Sequence, residues 1–274
     1  MLSEDDLVAV IAAVAGAGGA GVEVGIGDDA AVLAGGIVAS TDILVDGVHF
    51  DASRHTVRDI GHRAGAASLS DMAAMGAEPL CLLAAFGLPD GFADVRELAA
   101  GMAEHGVPLA GGDLSRSGQL LVSVMAIGRA ERPVLRSGGR PGDRLVVTGT
   151  LGGQAAGGYM ARVTPRIAEG RALATVATAM LDLSDGIATD AGRLAAASGT
   201  GAVVELRRLP RAPGATVEQA AAGGEDYELL AAVPEGAELP VPVTVVGRLT
   251  GDAAVRLLDA EGRERSLRGW DHFA

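Results

Sequence analysis

The chain of 274 residues has no lysine and no asparagine; all 22 of its basic residues are arginine. This is a compositional bias, and it has a chemical consequence. No Walker-A lysine, no protein-kinase strand lysine and no Schiff-base amine exists here, so phosphate handling needs another device. Cysteine is nearly absent too. The single Cys81, in "PLCLLAAF", excludes an internal disulfide, and its setting predicts a buried strand residue. No apolar run approaches the roughly 20 residues that a membrane-spanning helix needs. The start, "MLSEDDLVAV", lacks the basic region of a secretory signal, so a cytoplasmic protein is expected, with no membrane partner. Positive charge is scarce: the net charge of −13 argues against nucleic acid, whose phosphates require clustered cations. It does not argue against small anions, because a bound metal reverses the charge of a site.

What is present suffices for a large core. Hydrophobic residues make up 49% of the chain, and its length suits one large domain or two ordinary ones. Ser3 before Glu4, Asp5 and Asp6 predicts a helix start, continued by Leu7, Val8, Val10, Ile11 and Val14. Thr56 caps a longer predicted helix over 57–76, ended by Gly76 and Pro79. "GIVASTD", "PLCLLAAFGL", "QLLVSVMAIGRA", "RLVVTGT", "GAVVEL", "YELLAAV" and "VTVVGRL" read as strands, and "FADVRELAAGMAEHG" and "IATDAGRLAAAS" as helices. "VPLAGGD" reads as a strand running into a Gly-Gly turn, and "ERPVLRSGGRPGD" (131–143) as a boundary between two halves. The fold class is therefore α/β or α+β.

Carboxylates then stand out. "GIGDDAA" holds Asp28 and Asp29, "ASTDILVDGVHF" holds Asp42 and Asp46, "LAGGDLS" holds Asp113, and "MLDLSDG" holds Asp182 and Asp185. Each follows a small or apolar run. Asp71 lies late in the 57–76 helix, where a negative charge opposes the helix dipole. One such Asp alone is ordinarily a cap or turn residue. Five similar settings, without clustered His or Cys, point to a hard divalent cation such as Mg²⁺ that makes adjacent acids tolerable. "DLSD" has the wrong spacing for an aspartyl phosphatase, and no stretch matches an EF-hand loop. Gly-rich turns and Arg136 are candidate phosphate contacts, with a solvated linker as the alternative for the arginine. His55, His62, His105 and His272 read as surface or packing residues.

The stretches "GIGDDAAVL", "STDILVDGVHF", "ASLSDMAAMGAEP", "LAGGDLSRS", "RSGGRPGDRLVVTGTLG", "LDLSDGIATDAGRLA", "GGEDYELL" and "GWDHF", in this order over residues 25–273, resemble the thiamine-monophosphate kinase family, within the superfamily of aminoimidazole-ribonucleotide synthetase. The resemblance implies an N-terminal ATP/Mg-binding and dimerisation domain (1–132), whose mixed sheet forms a barrel across a homodimer. It implies a C-terminal α/β domain (133–274), with the ATP site between the two. The implied reaction moves the γ-phosphoryl of ATP, the co-substrate, onto thiamine monophosphate, with several Mg²⁺. Another acceptor, or a catalytically silent nucleotide-binding homologue, remains open at this point.

The resemblance also assigns roles. Asp42, Asp71, Asp113 and Asp182 would be catalytic. Asp29, Ser40, Thr41, Asp42, Asp71, Asp113, Asp182 and Asp185 would hold metal. Gly112, Asp113, Arg136 and Ser184 would bind ATP. His49 and Glu225 would bind the acceptor; Trp270 would either stack on it or anchor the tail. One departure is a short stretch between "TGTLGGQAAGG" and "LDLSDG", where Thr164-Pro165-Arg166 stands as the remnant of a longer Pro-Arg segment.

Overall fold

The computed structural model describes residues 4–15 and 19–271, so Ser3 and His272 lie outside the described residues. In chain order the elements are α1 (Glu4–Ala15), β1 (Val22–Val24), β2 (Ala31–Leu33), β3 (Ile37–Val45), α2 (Val57–Ala74), β4 (Glu78–Leu88), α3 (Val95–Ala103), β5 (Leu109–Arg116) and β6 (Leu121–Arg129). There follow β7 (Arg144–Val147), α4 (Gly153–Ala156), α5 (Ile167–Leu173), β8 (Ala179–Asp182), α6 (Ile187–Ala197), β9 (Gly201–Glu205), a 3₁₀ turn (Leu206–Arg208), α7 (Val217–Ala222), β10 (Leu229–Val233), β11 (Thr244–Thr250) and β12 (Val255–Leu258).

Two mixed six-stranded sheets result, ordered β1-β2-β3-β6-β4-β5 and β12-β9-β11-β7-β10-β8. Neighbours are antiparallel except β4–β5, joined through α3, and β9–β12. Strand alternation decides which face of the first sheet is covered. Val38, Leu44, Leu82, Ala84, Phe86, Val122, Val124 and Ala126 point into one core with Ile60, Leu69, Met72 and Leu98. The other face carries Thr41, Ile43, Leu83, Ala85 and Met125, aligned by the register, with Ile43 50% and Met125 38% exposed. Cys81 falls on this second face and is half-buried, not buried as expected, because strand alternation turns it away from inward-facing Leu82 and onto the side with Leu83 and Ala85. The second sheet is covered on both faces: α6 and α7 pack on one, and α5 with Ala73 and Ala74 of α2 packs on the other.

Helix α2 is the element the two halves share. Thr56 caps it, accepting from the Asp59 N–H, as the sequence predicts. Thirteen of its 18 residues are buried, many of them Ala, Gly or Ser, so it is enclosed on nearly all sides. Small residues permit this. A Cβ on Gly61 would stand 2.1 Å from Leu98 O, so α2 and α3 cross at backbone contact. The predicted Gly-Gly turn does not form. Gly111 and Gly112 continue β5, because a Cβ on Gly112 would stand 1.7 Å from Ala84 O of the neighbouring strand.

The short middle segment is clamped to α2. His62 Nε2 lies 2.9 Å from Val163 O, and Arg162 reaches Asp59 at 2.7 Å and also pairs with Glu104. Arg166 grips Glu228 with two hydrogen bonds, of 2.7 and 2.5 Å. His55 bonds Tyr159 O, and the His62 and His105 rings stack at 4.2 Å, so these histidines do packing work as expected.

Candidate active site

The β1–β2 turn, the end of β3, the last turn of α2 and the end of β8 converge on one cleft of about 1340 Å³ between the halves. Asp29, Thr41, Asp42, His49, Asp71, Arg136, Asp182, Ser184, Asp185, Glu225 and Trp270 all line it. Ser40 is buried, donates to Ser68 O at 3.3 Å and lies against Asp71. Gly112 and Asp113 do not line the cleft. They sit on β5, an edge strand whose residues are all exposed, with Asp113 paired to Ala85. Asp46 is a turn residue accepting from Ala52 N at 2.9 Å.

The centre of the cleft is acidic. Carboxylate oxygens of Asp29, Asp71 and Asp182 lie within 4.8 Å of one another. Asp42 joins them through a side-chain hydrogen bond to Asp71 and accepts from Ser68 at 2.7 Å. Burial raises Asp42 above the usual carboxylate range. Burial, then Asp42, Asp182 and Asp29, raise Asp71 well above it. Asp182 is pushed up to about 7 by burial and by Asp29.

The acids of the "DD" pair differ in role although both reach Arg136. Asp28 accepts the Arg136 backbone N–H at 3.2 Å, and burial followed by its neighbour Asp29 brings it to about 6. Asp29 Oδ1 accepts from Arg136 NH2 at 2.7 Å. Burial works against the Arg136 charge, but Asp29, Asp182 and Asp28 outweigh it and hold the guanidinium protonated. Asp28 therefore fixes a loop, while Asp29 faces the cluster.

Besides Arg136 Nε, two buried oxygen atoms remain unsatisfied at this centre. Asp29 Oδ2 has no hydrogen-bond partner among the described residues. The Ser70 hydroxyl acts on Asp182 but makes no hydrogen bond of ordinary geometry. An orphan carboxylate oxygen among three converging acids, with only oxygen donors around, fits a hard divalent cation. Asp185 stands apart from this trio: Arg193 pairs with it, and Asp190 accepts its N–H at 3.1 Å.

At the acceptor side, His49 Nδ1 accepts from Val45 N at 3.1 Å, so a neutral ring carries its proton on Nε2. Glu225 pairs with Arg63 of α2. Trp270 is 51% exposed, and its backbone N–H donates to Asp185 O at 3.0 Å. Sequence reasoning passed over Ser68, Ser70 and Arg63. All three are buried polar residues on an otherwise Ala/Gly-rich helix, and that contrast was the available signal.

Comparison with known proteins agrees with this geometry. Residues 27–130 match the family model for the N-terminal domain of AIR synthase related proteins. Thiamine-monophosphate kinase of Halobacterium salinarum is 41% identical, over 90% of this chain and 94% of that protein. The Salmonella typhimurium enzyme of the same name is 37% identical, over 92% and 93%. The solved structure of AaThiL complexed with AMPPCP and TMP superposes with a TM-score of 0.88 at 28% identity, covering 99% of this chain and 97% of that one. At these identities over nine-tenths of its length, and with the fold in common from end to end, the chain belongs to the thiamine-monophosphate kinase family.

Proposed function

We propose that the chain transfers the γ-phosphoryl of ATP to the phosphate of thiamine monophosphate, giving thiamine diphosphate. The observation that carries this is the converging trio of buried Asp29, half-buried Asp71 and buried Asp182, facing a cleft that also holds Arg136, His49 and Glu225. The acceptor phosphate is already anionic near neutral pH, so no residue has to act as a general base. The difficulty is repulsion between two polyanions.

Asp29, Asp42, Asp71 and Asp182, with Ser40 and Thr41 beside them, are the residues that would hold Mg²⁺. Bound there, the ions would supply neutralisation of the phosphate charges. Arg136, kept protonated and anchored through its backbone by Asp28, adds a fixed cation for the nucleotide phosphates. Ser184 lines the same cleft and is assigned to the nucleotide. His49 offers an Nε2–H donor to the acceptor phosphate, Glu225 takes its cationic or amine-bearing part, and Trp270 offers a ring face to the thiazolium. Asp185, paired to Arg193, is assigned to a peripheral metal.

We further infer domains at 1–132 and 133–274 and a cytoplasmic homodimer whose first sheets pair through the face bearing Ile43, Met125 and Asp113. A barrel across two copies would cover these apolar side chains. It would also give Gly112 and Asp113 a nucleotide site to serve. Among the described residues no helix is long and apolar enough to cross a membrane.

The test incubates the protein with ATP, Mg²⁺ and thiamine monophosphate and follows thiamine diphosphate by chromatography. Product that depends on the acceptor and vanishes with EDTA is expected. ATP binding without product would overturn the reading.

A further inference from the structure

Arg63 is 4% exposed and stands behind the wall of the cleft. Its NH1 donates to Tyr159 O at 2.9 Å and its NH2 to the Glu225 carboxylate, while its buried Nε has no partner among the described residues. Both acceptors sit in unusual backbone. Tyr159 has φ 62° and Glu225 has φ 57°; Tyr227, two residues on, has φ 51°. Among the described residues these are the non-glycine positions of positive φ, and all three line the cleft. Strained backbone of this kind persists where its surroundings over-determine it, and it gathers at functional sites. Here the bracing is visible. Glu225 N donates to Ser184 O at 2.6 Å, Tyr227 N to Leu183 O at 3.0 Å, and Tyr159 OH to Gly223 O at 2.8 Å.

We propose that Arg63 is a positioning residue for the acceptor. It holds one oxygen of Glu225, leaving the other for the cationic or amine-bearing part of thiamine monophosphate, and with the same guanidinium it fixes the Tyr159 turn opposite. This rests on the phosphoryl-transfer reading above. Glu225 Oε1 accepts no hydrogen bond from any described residue, so it is the oxygen left to bind. A guanidinium suits the task because its planar fork serves two acceptors at a fixed angle and stays charged when buried. A carboxylate fixed beforehand loses less freedom on binding, so the benefit falls on acceptor affinity. The metal cluster does not touch Arg63, so nucleotide binding gains nothing from it.

The test compares wild type with Arg63→Met, Arg63→Lys, Glu225→Gln and the Arg63→Met/Glu225→Gln double variant. Arg63→Met is expected to raise KM for thiamine monophosphate roughly 10- to 100-fold, with KM for ATP unchanged and kcat within about threefold. Arg63→Lys, which reaches one acceptor of the two, is expected to fall between. The double variant is expected to match the worse single variant, because both remove the same contact. A rise in KM for ATP equal to that for the acceptor would mark Arg63 as a mere strut between the halves and overturn the proposal. So would single effects that multiply in the double variant. If Arg63→Met does not fold, Arg63→Lys decides alone: unchanged acceptor KM refutes. If wild type makes no thiamine diphosphate, the function reading falls by itself. Calorimetry of thiamine monophosphate binding then judges Arg63: weaker binding by the variant supports it, and equal binding or none overturns it.

Discussion

Asp182→Asn should stabilise the metal-free protein and silence it. Asp182 ends β8 inside the acidic cluster, where burial and Asp29 hold it near 7, against 3.8 for an unburied aspartate. The folded state thus binds this proton more tightly than the unfolded chain does. Stability is fully present below about 4 and declines as pH rises towards 7. At pH 8 the ionised carboxyl costs about 4 kcal/mol, at about 1.36 kcal/mol for each tenfold change. Burial is the larger cause and repulsion by Asp29 the next; a neutral amide removes the charge but must still be buried, so it should recover about half, roughly 2 kcal/mol. For a chain of this size that corresponds to a Tm higher by roughly 4–8 °C. The assay is calorimetric unfolding in EDTA at pH 8 and pH 5. The variant's advantage should appear at pH 8 and fade at pH 5, where wild-type Asp182 is already neutral. Added Mg²⁺ should raise the wild-type Tm more than the variant's, and turnover should be lost. A variant no more stable than wild type at pH 8, or equally advantaged at both pH values, would refute the claim that burial and Asp29 make an ionised Asp182 costly in the metal-free fold.

Arg136→Met leaves Asp29 buried without its 2.7 Å partner, and should cost about 2–4 kcal/mol in urea unfolding without metal, with part returned by Mg²⁺. Mn²⁺ affinity, by calorimetry, should fall about tenfold or more from pH 7.5 to pH 5.5, because raised carboxyls such as Asp182 and Asp71 must shed protons to bind it. Gly112→Ala should lower stability by about 3 kcal/mol, since its Cβ would meet Ala84 O at 1.7 Å; an unchanged Tm would show that β4 and β5 are not in backbone contact. Ile43→Glu places a charge on the uncovered sheet face and should give a folded monomer in light scattering; a dimer that persists would place the contact elsewhere.

Much of this was legible because it is local. Period-two alternation marks β3, β4 and β6, and the Thr56 cap starts α2 where the sequence says. The strand-end acids were recognisable by their setting, and four of them meet in the cleft. What escaped depends on contacts distant in sequence. Asp113 sits in a motif like the others, but β5 is an edge strand, and no local pattern tells an edge from a centre. The Gly-Gly in that strand reads as a turn because glycine serves turns and close strand approach alike. Arg63 is one arginine among many until its reach across 162 residues to Glu225 is known.

The chain holds one Trp and two Tyr. Trp270, Tyr159 and Tyr227 all line the same cleft. The protein's near-ultraviolet absorption and its intrinsic emission therefore originate almost entirely at the place where ligands enter. Once the ligand's own absorption is subtracted, a change in emission on adding nucleotide, metal or acceptor reads that cleft, with no tryptophan or tyrosine elsewhere in the chain and no label to attach.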